Sequence, residues 1–171
     1  VNHKEGIEFL EKIIAEKQNI SEEIIRKLHG IILRNIDDKE AGAYRRYNVR
    51  IMGASFLPPR AEKVKPLMKD LLQWYNTGKH DYTVPVLTAQ MHYRLVHIHP
   101  FIDGNGRVSR LLMNLILMSA GYPPAVILNS DRAEYYRVLS TADAGDTGPF
   151  EDFTGRAITR SLELYLYSVG G

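Results

Sequence analysis

Apolar residues at Ile7, Leu10, Ile13 and Ile14, and again at Ile24, Ile25, Leu28, Ile31 and Ile32, recur at the three-and-four spacing that lines one face of an amphipathic helix. Ser21, just ahead of the second run, is a residue type that caps helix N-termini. Two opening helices are predicted. Past Asp37-Asp38 the period changes: between Tyr44 and Leu57 the apolar positions Tyr47, Val49 and Ile51 alternate loosely with polar ones, followed by Gly53 and the stop Pro58-Pro59. This alternation predicts a short β-hairpin, or flap. Helical spacing returns at Val64, Leu67, Met68, Leu71 and Tyr75 and ends at Gly78. With Thr83 as cap and Pro85 in the first turn, Leu87, Met91 and Leu95 predict a helix running directly into His99.

Leu111, Leu112, Leu115, Ile116 and Met118 are apolar on more than one face, as in a central buried helix, which Gly121 and Pro123-Pro124 terminate. Tyr135, Leu139 and Ala142 mark a further helix. After the turn at 143–146, Phe150, Phe153, Ala157, Ile158, Leu162 and Leu166 mark the last. The expected architecture is all-α, a helical bundle with one small β-hairpin, in a single domain over residues 1–171. No internal repeat or low-complexity segment interrupts it.

Composition narrows the partners. With 171 residues, 44% of them hydrophobic, the chain can bury one substantial core. Its 22 Lys plus Arg against 20 Asp plus Glu are scattered, so nucleic acid is not implied as a partner. The absence of cysteine excludes disulfides and thiolate metal sites and fits a reducing compartment. No window approaches the ~20 apolar residues of a membrane span, and no secretory leader pattern opens the chain. Val1 leads straight into helical sequence. The expectation is a fragment of a longer protein, separated from any localisation signal.

The stretch His99-Pro-Phe-Ile-Asp-Gly-Asn-Gly-Arg-Val-Ser-Arg110 concentrates the chemistry. Apart from Phe101, Ile102 and Val108, little of it can be buried without a polar partner. Gly104, Asn105 and Gly106 lead into a helix and can present successive backbone N–H groups to a phosphate at its positive end. Arg107 and Arg110, three apart, can add charged donors. Asp103 has no cation beside it in sequence and would repel a polyphosphate unless Mg²⁺ or Mn²⁺ lay between them. His99 is the one group here that takes a proton near neutral pH. Singly, these residues read as a turn, a helix-end cap and surface ion pairs. Together they form a base, a metal ligand, an anion cradle and two clamps, as phosphoryl or nucleotidyl transfer requires. Zinc at His92, His97 and His99 fits less well, with Asp103 the one acid nearby. The Lys-Ser/Thr ending of a Walker A loop is missing.

Every specified position of His99 to Arg110 resembles the signature of the Fic domain family. The likeness extends over nearly the whole chain. Ala41-Gly-Ala-Tyr-Arg45 and Pro58-Pro59 resemble the family's flap region, and Ser109 to Met118 with Ala120-Gly-Tyr-Pro-Pro124 resemble the metazoan endoplasmic-reticulum (HYPE-type) enzymes and their bacterial relatives. The resemblance implies transfer of AMP from ATP to a Ser, Thr or Tyr hydroxyl of a target protein, with removal of AMP at the same site also open. It makes His99 the base and Asp103 the ligand of Mg²⁺ or Mn²⁺. Gly104, Asn105 and Gly106 become the anion hole, Arg107 the clamp on the distal phosphates, and Arg110 a support. Tyr135 and Tyr136 would lie near the adenine. Asp143 stands where similar enzymes carry asparagine and, as a pure acceptor, bears on the choice of base. Val49 and Ile51 would dock the target's backbone by strand addition.

Self-modification and a homodimer are compatible with this likeness. The compartment it implies is the cytoplasm for a bacterial chain and the endoplasmic-reticulum lumen for a HYPE-type one. The inhibitory Ser/Thr-x-x-x-Glu-Gly/Asn motif of many relatives is missing: Glu5-Gly6 follows Val1 at the required spacing, and Glu151 is followed by Asp152. Two other readings stand beside it. A kinase variant of the fold carries lysine where this chain has Gly106, and a non-catalytic nucleotide-binding module would need neither His99 nor Asp103.

Overall fold

The computed structural model describes residues 2–52, 54 and 56–170, the side chains of residues 2 and 3 excepted. Among them are seven α-helices: α1 (Asn2–Ala15), α2 (Glu22–Leu33), α3 (Val64–Gly78), α4 (Val84–Ile98), α5 (Asn105–Ser119), α6 (Arg132–Asp143) and α7 (Gly148–Val169). Ser21 caps α2 as expected, its hydroxyl accepting from the Ile24 N–H at 3.3 Å. Thr83 occupies the N-cap position of α4, but its side chain makes no capping bond there.

The central helix is α5, which packs against α4, α2 and α1. Its two-sided apolar pattern has a direct cause. Leu111, Leu112, Leu115 and Ile116 join the main core with Leu10, Ile25, Leu28, Met91 and Leu95. On the opposite side Met113 and Leu117 meet Ala125 and Ile158. A third cluster, with Tyr135, Leu139, Phe150 and Phe153, ties α6 to α7 and reaches α4 through Ala89. Helix α4 is thus held by the main core on one side and by α7 on the other. Its C-terminal end and the start of α5 therefore emerge from the best-packed part of the molecule, joined only by residues 99–104.

The predicted hairpin does not form. Among the described residues of 44–59 there is no strand, and Gly53, the turn glycine of that expectation, lies outside the described residues. The segment is wound around Arg45 rather than paired with itself. Arg45 is 2% exposed. Its guanidinium donates to the carbonyls of Tyr47 at 3.1 Å and Pro59, and its backbone N–H donates to the Pro100 carbonyl at 2.9 Å. Asn48 accepts from the Ala61 N–H at 2.9 Å. Pro58 and Pro59 carry no N–H for a ladder, and the side chains of Tyr47, Met52 and Leu57 face solvent. Alternation without a facing strand leaves an extended loop.

Two core histidines set a pH dependence. His92 is fully buried, with Nε2 3.0 Å from the Tyr135 hydroxyl and Nδ1 without a partner among the described residues. Burial, reinforced by the Arg110 charge, holds its pKa down to about 3. Burial also lowers the pKa of His29. Because unfolded histidine titrates near ~6.5, the unfolded chain binds more protons than the folded one below that value, so stability falls as pH falls. His92→Gln is expected to reduce the loss of unfolding free energy between pH 6.5 and 5 by roughly 2 kcal/mol, about 1.4 kcal/mol per proton per pH unit. Urea titrations at the two pH values check it, and an unchanged loss would mean that His92 is not held neutral.

Candidate active site

Helix α4 ends because His99 takes a left-handed conformation, φ 51° and ψ 58°, with its N–H donating to the Leu95 carbonyl at 3.0 Å. This reversal sends Phe101 into the core, where it is fully buried and stacked on His29 at 3.7 Å between ring centroids. The loop is then closed on itself. Asn105 Oδ1 accepts from the Phe101 N–H at 3.0 Å, and its Nδ2 donates to the Phe101 carbonyl at 2.9 Å. Gly104 makes the turn into α5 at φ 79°, and a Cβ there would also lie 3.1 Å from Leu33 and 3.3 Å from His29. Glycine is required by both conformation and space.

Two residues outside the signature hold the loop from behind. Gly42, at φ 72°, donates its N–H to His29 Nδ1 at 2.9 Å. The proton of the neutral imidazole must then sit on Nε2, which donates to the Asp103 carbonyl at 3.0 Å. Arg45 Nε donates to the His99 carbonyl at 2.7 Å. His29 is not singled out in the sequence, and Arg45 figures there only as the end of the stretch Ala41-Gly-Ala-Tyr-Arg45 that resembles the flap region. The available signals were a histidine on the apolar face of α2 and an arginine inside an alternating apolar run.

His99 is oriented as a base. Its Nδ1 lies 3.4 Å from the Val96 carbonyl, an acceptor only, so Nδ1 carries the proton and Nε2 keeps its lone pair. Burial lowers its pKa, against the raising effect of the Val96 carbonyl and with a smaller lowering by Arg45, so the neutral form prevails at pH 7.

Asp103 departs from the sequence expectation of a carboxylate without a cation. One helical turn on, Arg107 donates to its Oδ2 at 2.7 Å, while Oδ1 accepts from the Gly104 N–H at 2.6 Å. Both side chains remain open, 67% exposed for Asp103 and 39% for Arg107. Such a pair is easily exchanged for other partners.

These groups share a cavity of about 490 Å³. The floor is His99, Asp103, the start of α5 from Gly104 to Arg107, and Arg110; the far wall is Tyr135, Tyr136 and Asp143 of α6. Ile51 and Phe56 also line the cavity, whereas Val49 does not. Of the residues singled out in the sequence, all but Val49 are brought together. Tyr135 is a core residue, 7% exposed, with only an edge on the cavity, while Tyr136 is half exposed beside the Arg132 guanidinium. The Asn105 side chain is spent on the loop, so its contribution to the anion cradle is its backbone N–H at the helix terminus. The three histidines weighed for zinc diverge: His92 faces Tyr135, His97 bonds Asp143 at 2.9 Å, and His99 bonds Val96.

Among the described residues no group of three or more His, Cys, Asp or Glu side chains could by itself hold a metal ion. The donor set fits Mg²⁺ or Mn²⁺ held jointly by one carboxylate and substrate phosphates, since Asp103 stands exposed at the rim of the anion cradle.

Residues 19–117 match the profile of the Fic/DOC family, and the chain belongs to that family. It is 40% identical over 164 residues to the protein adenylyltransferase Fic of Drosophila grimshawi, covering 95% of this chain and 34% of that protein. The chain thus spans about a third of the length of the curated relatives it matches. Its backbone is similar to that of Fic-1 from C. elegans, with a TM-score of 0.90 and 32% identity over 99% of this chain and 51% of the other. A Fic domain containing signaling protein from Bacteroides thetaiotaomicron follows at a TM-score of 0.85, 31% identical over 95% of this chain and 68% of that one.

The loop's closure can be separated from its chemistry. Asn105→Ala leaves the buried N–H and carbonyl of Phe101 unpaired and is expected to cost about 2–4 kcal/mol of unfolding free energy. Asp103→Ala, at an exposed ion pair, is expected to change it by less than about 1 kcal/mol. Urea unfolding of both variants checks the pair, and equal costs would contradict the assignment.

Proposed function

We propose that this chain transfers AMP from ATP to a hydroxyl group of a protein side chain. The observation that carries the reading is a base with a free Nε2 sharing one cavity with a helix-terminal N–H cradle and two arginines. Its family membership and the names of its relatives, protein adenylyltransferases, point the same way.

In this mechanism the α- and β-phosphates rest on the amides of Gly104 to Arg107, where the helix terminus favours negative charge. Arg107 leaves Asp103 and takes the distal phosphates. Asp103, so released, serves as the protein ligand of Mg²⁺ or Mn²⁺, which when bound neutralises phosphate charge. His99 Nε2 removes the proton of the target hydroxyl as its oxygen attacks the α-phosphorus. A new phosphorus–oxygen bond forms to the target, the bond to the oxygen bridging the β-phosphate breaks, and pyrophosphate leaves. Arg110 stabilises the charge developing at the start of α5. The target docks along the described part of the 44–59 segment, whose Ile51 borders the cavity. Val49 lies two residues before Ile51 in the chain, does not line the cavity, and serves that docking only. Self-modification and a homodimer belong to the same proposal.

The geometry favours this over the kinase reading. Position 106 has no side chain to push the phosphates around, and a Cβ there would stand 3.5 Å from Arg110. A pure binding module would have no use for a desolvated neutral base in the cavity.

Incubation with ATP labelled at either the α- or the γ-phosphate tests the reading. Protein-bound label is expected from the α position alone; label from the γ position alone would make the chain a kinase. His99→Ala is expected to lower the rate by ~10²–10⁴-fold with little change in ATP affinity. In the unaltered protein the rate should fall as pH drops below ~6.5, because the burial-lowered pKa of His99 places its protonation there. Asp103→Ala should lose the strengthening of ATP binding by Mg²⁺. Equal strengthening in variant and parent, measured by calorimetry, would reject Asp103 as the ligand.

A further inference from the structure

Basic and acidic residues nearly balance over the whole chain, but not over the stretch that leads from the cavity into α3. Residues 44–69 hold seven of the 22 Arg and Lys and one of the 20 Asp and Glu, leaving 15 against 19 elsewhere. The fold turns this stretch into a surface. Asn48 accepts from the Ala61 N–H at 2.9 Å and Arg45 donates to the Pro59 carbonyl, which sets the start of the segment against the short 3₁₀ turn Ala61–Lys63 ahead of α3. A groove of about 530 Å³ runs between them, lined by residues 44–48 on one side and by Ala61, Glu62, Val64 and Lys65 on the other. Lys69 follows Lys65 one helical turn on, on the same face of α3.

The cations here are open. Arg50, Arg60, Lys63, Lys65 and Lys69 are exposed, and none has a carboxylate partner among the described residues. Arg46 pairs with Glu40 at 3.0 Å, yet its side chain stays 69% exposed. Arg45, which also lines the groove, is a buried guanidinium whose partners are the carbonyls of Tyr47, Pro59, Ile98 and His99. Its charge meets no carboxylate among the described residues, and a buried charge is screened less by salt than an exposed one. It adds a fixed positive potential. An ordinary solvated face intersperses both signs, whereas Glu62 is the one acid lining this groove.

The groove adjoins the reaction. Asn48 lines it and Ile51 lines the active-site cavity, and the three residues of chain that separate them span at most about 11 Å. Arg50 stands in that interval. A polypeptide that brings a hydroxyl to His99 along this segment therefore meets the cations within about three or four residues of that hydroxyl. Met52 and Leu57, both exposed, add aliphatic contacts that suit protein side chains better than a phosphodiester backbone. We propose that the basic face formed by residues 44–50 and the start of α3 binds an acidic stretch of the target protein, next to the hydroxyl that is modified. The inference rests on the transfer reading and gives its target a chemistry: Asp and Glu met by long cationic side chains.

The probes are three fluorescent peptides in which Ser-Thr-Tyr is flanked on both sides, three and four residues away, by glutamates, glutamines or lysines. Binding is read by anisotropy, and acceptance of AMP by transfer of α-label from ATP with Mg²⁺. At about 50 mM salt the glutamate peptide is expected to bind roughly tenfold more tightly than the glutamine peptide, as for a few exposed ion pairs, and the lysine peptide more weakly than either. The preference should shrink at about 0.5 M salt. Lys65→Glu combined with Lys69→Glu should cut the preference for glutamate to about twofold or less, while binding of the glutamine peptide and of ATP stays as in the parent. A preference unaltered in that double variant, or a parent that binds the glutamate and glutamine peptides alike, overturns the inference while the transfer reading stands. A single-stranded oligonucleotide of the same net charge that binds more tightly than the glutamate peptide also overturns it and makes the surface a nucleic-acid site. Preference for glutamate with no α-label on any peptide or on the protein itself upholds this surface and overturns the transfer reading.

Discussion

A single side-chain amide, that of Asn105, carries the geometry on which everything else at this site depends. By bonding both the N–H and the carbonyl of the fully buried Phe101, it ties the first turn of α5 back to the loop that leaves α4. The ends of α4 and α5 are held by the main core, so the loop between them has little freedom once that bridge is made. His99 can then persist in a left-handed conformation that a β-carbon ordinarily disfavours. The proposed base and anion cradle are placed by backbone, not by flexible side chains, which is the kind of rigidity that positioning for group transfer requires.

The electrostatics of the site without ligand are self-contained. Asp103 and Arg107, to which the proposed reaction gives the metal and the distal phosphates respectively, neutralise each other at 2.7 Å. Being exposed, that pair contributes little to stability and is easily replaced by phosphate and cation. The three neutral histidines around the loop have separate tasks set by their partners: His29 supports the Asp103 carbonyl, His92 meets the Tyr135 hydroxyl, and His99 faces the cavity with one free nitrogen. Burial lowers the pKa of all three, but only His99 has its lone pair where a substrate proton could reach it.

What could be read from the sequence was what local chemistry determines. The period of the apolar residues placed the helices, Ser21 capped the one it was expected to cap, and the two-sided pattern of α5 correctly marked it as central. The residues from His99 to Arg110 could be recognised because they are contiguous. What failed depends on contacts distant in sequence. The alternation at Tyr47, Val49 and Ile51 suggested strands, but Arg45 captures the backbone carbonyls of the segment, and the two prolines deny it a ladder. His29 and Arg45 reach the loop from 74 and 54 residues away, and the bond between His97 and Asp143 spans 46. The Asp103–Arg107 pair was missed for a different reason: a lone carboxylate was sought beside a cation in sequence, whereas the helix brings together residues one turn apart.

The central claim is that the backbone amides from Gly104 to Arg107 receive the phosphates of a nucleotide. It is tested most directly by following the amide resonances of the ¹⁵N-labelled protein during titration with ATP and Mg²⁺. The account predicts that the amides of Asn105, Gly106 and Arg107 show the largest shifts on the chain, in the downfield direction of new hydrogen bonds to anionic oxygen, while that of Gly104 exchanges the Asp103 carboxylate for phosphate. Saturable binding that leaves the amides of Asn105, Gly106 and Arg107 unmoved would contradict it, because the nucleotide would then be held somewhere other than the junction between α4 and α5.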